Sequence, residues 1–553
     1  MSAVEAGADS GRNKRFLLTL LLSIVTLFSF LGTPGLKEPD EGRYAEIGRE
    51  MALSNDLLIP HLNGFEHFQK PPVVYWQTAL AIKMFGTNEW AARLPAALSA
   101  LGTILLLYWI GSWFFGSITG FTAALILASS FEFFVLARTL NTDMALSFWT
   151  TAAMAFFLRW TITPEIRQWE WLSFASLGMA FLTKGPAGLI APLSVMLLVA
   201  IHAKTIDAPL PIRWFRGMIL TFGIGLSWFA AVVWVHPELI RYFLGFELFQ
   251  RTVGAARGRE QPFWFYFATL AIGLFPWTFF VAFAFPARLK NISLRNISRP
   301  DIAICAWVVA PFIILSIIRS KLPTYVLPVY PALALFVADW ICNRAPGHLV
   351  RWIVSVSAVA GIALPAVSLL LPYLSHQTKQ IQPPVQLLGI EAGLLLCTGV
   401  AILFMARSPD PHRLVLTLAG GSIIAWIAAF SMLDLLDKDF GEQASVRPIA
   451  TLLNSAPDIA NAAIYCIGTR AHGIEFYTGK LVCESVDKAD LALPPSAEQK
   501  TRLIDNNDSW ESNLPSDRPT YLVTTRSELP KLRRKWDKLG VSGNYVLAKR
   551  LGD

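Results

Sequence analysis

Charge is scarce in this chain. Asp, Glu, Lys and Arg make up 16% of its 553 residues, against roughly 25% in an ordinary soluble domain. Apolar residues make up 54%, gathered into runs of about twenty that read as membrane-spanning helices. A wholly soluble protein is thereby excluded. Cysteine is also sparse, at five residues. Cys305, Cys342 and Cys397 sit within or at the ends of apolar runs, as inert core thiols do. No C-x-x-C pair occurs, which argues against a structural zinc site. No basic stretch is interleaved with stacking aromatics, so the net charge of +8 does not point to nucleic acid. It suits a chain bordered by anionic head groups, and nineteen Trp suit the two membrane interfaces. No A-x-A-like cleavage site follows Arg12, Lys14, Arg15 and the apolar run Phe16 to Phe30. That segment is therefore read as a retained first helix and not as a cleaved signal. Internal repeats are not evident.

Hydropathy predicts thirteen spans, near residues 16–36, 91–112, 117–137, 143–160, 170–183, 187–203, 214–235, 263–284, 301–319, 325–342, 350–372, 384–405 and 412–434. Raw counts of Lys and Arg on the two sides are nearly equal. The short, acid-poor loops decide orientation, because the positive-inside rule weighs short loops most. They place the N-terminus in the cytoplasm and, with an odd number of spans, the C-terminal segment outside. Residues 1–434 then form a polytopic α-helical membrane domain, with an amphipathic outer loop at 37–90. Residues 435–553 form a soluble α/β domain. In that domain β-like runs occur at Ala462–Ile467, Ile474–Tyr477, Lys480–Cys483 and Tyr521–Thr525, and a basic helical stretch near Glu528–Leu539. Cys466 and Cys483 are its two cysteines. In an oxidising compartment they are expected to form a disulfide closing a short loop, worth roughly 3 kcal/mol.

Six polar clusters are not explained by composition. They are Glu38 to Tyr44, His67 to Pro72, Arg138 to Asp143, Thr183 to Pro186, Arg251 to Glu260, and Arg319 to Tyr325 running on to Tyr330. All fall in outer loops. Charged groups held near the apolar boundary are expensive and usually functional. One shared cavity is expected, entered from the outer leaflet by a substrate with a lipid tail and a charged head. Each cluster also has a plainer reading. Asp40 and Glu41 would cap the helix Glu41–Leu53, which reads as an amphipathic helix lying on the membrane surface. Pro71 and Pro72 would start a helix with Lys70 as its head-group anchor. Arg319 and Lys321 would snorkel, Thr183 to Pro186 would be a tight interhelical turn, and His67 an interface residue.

The run Asp40-Glu41-Gly42-Arg43-Tyr44-Ala45-Glu46-Ile47, with Lys70-Pro71-Pro72 ahead of Tyr75-Trp76, resembles the bacterial 4-amino-4-deoxy-L-arabinose lipid A transferases. These belong with the protein-mannosyltransferase-like enzymes of the C-type glycosyltransferase fold. Leu182 to Pro186, Ser320 to Tyr325, Pro328 and Tyr330-Pro331 look like the same family. The resemblance spans roughly residues 15–340 and is specific for the superfamily. Gly42 stands where a larger polar residue is expected. Gln69 stands where an acid is expected, which weakens a metal at that position.

The resemblance implies a donor, undecaprenyl phosphate carrying 4-amino-4-deoxy-L-arabinose, and an acceptor, a phosphate of lipid A. Capping that phosphate would protect against cationic antimicrobial peptides and polymyxin. The enzyme would be a multi-pass protein of the bacterial inner membrane, acting as a monomer. Negative charge grows on the carrier phosphate as the sugar leaves, so fixed cations are needed. Lys70 is the first choice, with Arg257 and Arg259 as partners and Tyr330 as a hydrogen-bond donor. A phosphate acceptor is already ionised and needs no base. Asp40 would then orient the sugar or pair with its amine. Asp143 would do the same or hold Arg43 in place. Arg43, Tyr44, His67, Lys321 and Tyr325 complete the expected sugar and acceptor contacts. No cofactor is certain, and a divalent metal ion is left open. Another lipid-linked sugar or a hydroxyl acceptor is the alternative within enzymes. A flippase or transporter is the alternative outside them, but paired halves are not visible.

Overall fold

The computed structural model describes residues 3–206, 210–245, 260–289, 299–374, 399, 410–431, 445–485, 491–504, 510–511, 514–532 and 534–551. Helices dominate up to Ser431, and a five-stranded sheet follows. The expected span 384–405 lies outside the described residues apart from one position, as does the expected domain boundary at 434/435. Helices cover most of every other expected span, but in the first, 16–36, the helix ends at Phe28. Among the described residues, four helices are long and apolar enough to cross a membrane, or up to seven if each bent pair is one span.

One of these bends has a clear local cause. Helix α5 (Ser117–Ser129) turns by 71° into α6 (Phe131–Ala137). Ser129 and Ser130 donate their hydroxyls back to Leu125 and Ile126 carbonyls at 2.6 and 2.7 Å. Such back-bonding competes with the helical ladder and bends it. Helix starts are equally legible. Asn88 accepts from the Ala91 N–H at the start of α4 (Glu89–Phe115), and Asn141 accepts from the Met144 N–H at the start of α7 (Thr142–Ile162).

The segment 37–90, expected as an outer loop, folds into α2 (Asp40–Ser54), a two-stranded hairpin of β1 (His61–Leu62) and β2 (Phe65–Glu66), and α3 (Val73–Phe85). Pro72 precedes α3 directly, and Asn55 in the left-handed region (φ 60°) ends α2. The apolar face expected to lie on the membrane surface is packed against protein. Tyr44, Ile47 and Met51 are buried, but so are Gly42, Glu46 and Arg49 on other faces. Helix α3 covers one side, and the C-terminal helix Gly473–Thr478 covers another. Asp40 does not cap this helix: Pro39 holds the cap position, with no side-chain cap bond.

A buried ion pair ties α4 and the chain that follows α1 (Ala3–Phe28) to the loop. All five Arg93 donor bonds are made. Nε and Nη2 fork onto Glu41 at 2.9 Å each. The remaining bonds go to the Leu31, Pro34 and Gly35 carbonyls at 3.0, 2.6 and 2.9 Å. Glu41 also accepts the Leu140 and Lys37 N–H groups. Burial opposes the charged carboxyl, yet Arg93 and these bonds hold Glu41 below the usual carboxylate range.

The C-terminal sheet has the order β4-β3-β5-β7-β6, built from β3 (Ala463–Cys466), β4 (Cys483–Glu484), β5 (Thr520–Thr525), β6 (Trp536–Ser542) and β7 (Tyr545–Arg550). The three strands β4, β3 and β5 are parallel, and β7 is antiparallel to both its neighbours. Two expectations fail here. Ile474–Tyr477 is helical, and the basic stretch at Glu528–Leu539 yields a short 3-10 turn and the start of edge strand β6. The disulfide also fails, and Cys466 and Cys483 are free thiols. Cys483 registers with Tyr465, and Cys466 with Glu484. Side chains alternate faces along a strand, so the one-residue offset sends the two sulfurs to opposite sides of the sheet. Cys466 enters the cluster around Ile464 and Val523, and Cys483 packs near Tyr465 and Trp510. Titration of the denatured, unreduced chain is expected to find both thiols, and reductant should leave the unfolding temperature unchanged. A reductant-dependent loss of stability would contradict this register.

Candidate active site

Most of the polar clusters meet at one end of the helical bundle. Helix α8 (Gln168–Lys184) ends at Lys184 because Gly185 follows with φ +65°. A cation in the last turn also suits the negative end of the helix dipole. The Lys184 ammonium forms an ion pair with Asp143, from the first turn of α7. It also lies 4.5 Å from the centre of the Tyr325 ring. Tyr44 completes the group: its ring lies 6.0 Å from that of Tyr75, and Arg43 sits 5.1 Å over it. Burial pushes the Tyr44 hydroxyl up, so it stays a neutral donor. Arg43 forms an ion pair with Asp40, whose side chain is 66% exposed.

Beside this group lies a cavity of about 460 Å³. Phe68, Phe181, Phe229, Val233 and Phe243 contribute to its apolar wall. The charged residues lining it are Lys70 and Lys184. Two cations against an apolar wall form a place for an anionic head with a hydrocarbon tail.

The expected residues do not all reach this cavity. Asp143 borders it only through Lys184, so it does not hold Arg43, whose partner is Asp40. Tyr330 is fully buried and donates to Glu132, which removes its hydroxyl from the expected role on the carrier phosphate. Lys321 donates to the Gln261 carbonyl at 2.9 Å. Arg257 and Arg259 lie outside the described residues.

His67 and Arg43 line a second, smaller cavity of about 60 Å³ between the outer loop and the C-terminal domain. Gln69 and His472 also line it. The domain is pinned there by specific bonds. Glu38 accepts from the Gly473 N–H at 2.7 Å, Arg447 bonds Glu89 at 2.8 Å, and Asn63 bonds Val482 and Glu484. Burial pushes Glu38 up to about 8. Burial, beside Arg43 and Arg470, pushes His472 down to about 3, so its imidazole is neutral. A Cβ on Gly42 would lie 2.5 Å from Glu38 Oε1 and 2.7 Å from the Gly473 nitrogen. That contact explains why the larger residue expected at this position is missing here.

Lys184 belongs to one of the six polar clusters and to the family-like segments, but no role in the site was expected of it. Two further functional candidates are not among the expected residues. Glu132 is a carboxylate inside an expected span, which alone marks it. The acidic and histidine side chains of the C-terminal domain carried no motif.

Residues 35–241 match the family model for dolichyl-phosphate-mannose-protein mannosyltransferases. Over nearly its whole length the chain superposes on crystal structures of ArnT from Cupriavidus metallidurans. The apo form matches with a TM-score of 0.79 at 24% identity, covering 97% of each chain. The form bound to undecaprenyl phosphate matches with a TM-score of 0.78 at 23% identity, covering 97% of this chain and 98% of the other. This is the C-type glycosyltransferase fold. The chain is also 31% identical over 332 residues to the undecaprenyl phosphate-alpha-4-amino-4-deoxy-L-arabinose arabinosyl transferase 2 of Proteus mirabilis, covering 59% of each. A transferase of the same description from Edwardsiella ictaluri is 31% identical over 369 residues, with 62% of this chain and 64% of the relative covered. The matches thus span about three-fifths of these curated relatives' length. Within the C-type glycosyltransferase fold, the site described above lies largely inside the segment that the mannosyltransferase model matches.

Proposed function

We propose that this protein transfers 4-amino-4-deoxy-L-arabinose from undecaprenyl phosphate to a phosphate of lipid A at the periplasmic face of the inner membrane. In this reading the N-terminus is cytoplasmic, the sheet domain is periplasmic, and the product lowers surface charge and attraction for cationic peptides. The observation that carries it is the apolar cavity bearing Lys70 and Lys184. It offers two point charges to a lipid-linked phosphate and a wall to its prenyl chain. The names of the related transferases supply the sugar.

The reaction needs little proton chemistry. An acceptor phosphate oxygen attacks the anomeric carbon, the bond from that carbon to the carrier phosphate breaks, and its electron pair leaves on the carrier. Lys70 and Lys184 stabilise the charge developing there. A phosphate monoester has a second pKa of about 6 and is already ionised at neutral pH. Asp40, exposed beside Arg43, orients the sugar and faces its amine.

Two measurements test this. Competition among polyprenyl-phosphate sugars, read by mass shift of the acceptor, is expected to favour the aminoarabinose donor. Preference for another sugar would overturn the substrate. Across pH values where acceptor charge is constant, Asp40→Asn is expected to lower the rate without changing the profile's shape. Loss of a rising wild-type limb in Asp40→Asn would instead make Asp40 a general base, as a hydroxyl acceptor requires.

A further inference from the structure

Away from the lipid cavity, the C-terminal domain holds a cluster of a different kind. His472, Glu475 and Glu484 are 7%, 1% and 7% exposed. One ligand atom from each lies within 4.8 Å of the others. The chain builds this cluster from two neighbouring elements. His472 immediately precedes the short helix Gly473–Thr478, and Glu475 sits three residues later, on the same face. Glu484 comes from β4, held beside β3 by parallel pairing of Cys466 with Glu484.

The polar atoms of this cluster are not used up by the protein. His472 Nδ1 and Glu475 Oε2 are buried without a hydrogen-bond partner among the described residues. Buried polar groups are otherwise almost always satisfied. Glu475 and Glu484 place two carboxyls side by side in this buried cluster. One Glu484 oxygen is oriented from outside the domain, since Asn63 of the outer loop donates to it at 2.7 Å. Asn63 itself is fixed by Val482 on both its amide atoms, at 3.0 Å each. An oriented carboxylate with an outer partner is the arrangement that surrounds metal ligands.

We propose that His472, Glu475 and Glu484 bind one divalent cation of the zinc class. One imidazole with two carboxylates suits zinc, whereas calcium and magnesium favour oxygen alone. Ligand atoms within 4.8 Å of one another are near enough to converge on one ion, whose bonds to nitrogen and oxygen are about 2.0–2.2 Å. The cavity lined by Arg43, His67, Gln69, His472 and Glu484 adjoins the cluster and provides an entry path and a place for a coordinated water. The absence of C-x-x-C pairs speaks only against thiolate sites. The ion would lock the helix Gly473–Thr478 against β4. That helix holds Glu38 through Gly473 and sends Phe476 into the apolar cluster around Tyr44 and Tyr75. The site is therefore a clamp on the outer loop, independent of which sugar is transferred.

The test uses the full chain, purified in detergent without a polyhistidine tag and stripped with a chelator. Zinc is expected to rebind at one per chain by elemental analysis and to raise the unfolding temperature. Glu475→Gln and Glu484→Gln should each abolish that uptake. Asn63→Ala should bind zinc about 10–100-fold more weakly, as lost outer-shell partners do. If a variant fails to fold, the wild type still decides by cobalt substitution, where absorption of a four-coordinate nitrogen–oxygen site is expected. Wild-type protein that takes up no stoichiometric zinc or cobalt overturns the proposal. So does zinc bound equally well by folded Glu475→Gln.

Discussion

Replacing Lys184 by Met is expected to slow sugar transfer by about 10²–10³-fold, the usual loss for one electrostatic donor. The reason is its position. Lys184 lines the lipid cavity with Lys70, while Asp143 and the Tyr325 ring hold its ammonium in place. The substitution also strands the Asp143 carboxylate, so folding must be separated from chemistry. The double variant Lys184→Met with Asp143→Asn removes both charges. It is expected to unfold near the wild-type temperature and remain as slow as the single variant. Lys70→Ala should show a loss of the same order, because both ammonium groups line the cavity proposed to hold the carrier phosphate. The assay is transfer from a polyprenyl-phosphate sugar, followed by the mass of the acceptor. A folded double variant with wild-type turnover would remove Lys184 from the mechanism, and full activity in Lys70→Ala would remove the donor site from this cavity.

The second large effect is on stability. Arg93→Ala is expected to lower the unfolding free energy by about 3–5 kcal/mol, the range for breaking one side of a buried ion pair. Arg93 and Glu41 side chains are 1% and 5% exposed. Alanine would leave the carboxylate uncompensated and strip hydrogen bonds from the Leu31, Pro34 and Gly35 carbonyls. Lysine keeps the charge but cannot reproduce the fork, so Arg93→Lys should recover only part of the loss. Arg93→Met with Glu41→Gln should be less damaging than Arg93→Ala, because no buried charge remains unpaired. Denaturant unfolding in micelles reads each difference. If Arg93→Ala unfolds like the wild type, the pair contributes nothing.

How far the sequence could be read depended on the kind of signal. The helices were legible because long apolar runs have few alternatives, and α3 because Pro71 and Pro72 mark its start. Helix α2 was legible as a helix, but not its surroundings. Residue spacing shows which faces are apolar, not what covers the others, so its cover by the helix Gly473–Thr478 was invisible. The pairing of Cys466 with Cys483 failed for a related reason. Their place in the domain could be read, but strand register could not, and a single step of register decides which face a side chain takes. Ile474 to Tyr477 is too short for periodicity to separate helix from strand. At the site, Asp40 and Lys70 stood out through their motifs. Lys184 needed the fold, because only the meeting of α7 and α8 gives it Asp143.

The outer loop is gripped from two sides. Tyr44 projects from α2 toward Lys184, while Glu38, Gly42, Arg43 and Asn63 on the same loop face the C-terminal domain. The domain is therefore not an interchangeable module. A chimera carrying a relative's domain would meet a surface cut for another partner, and a larger residue at position 42 would collide with the Gly473 backbone. Changes on the two sides of this contact must be inherited together, and a drift in one would be felt in the other as a displaced Arg43.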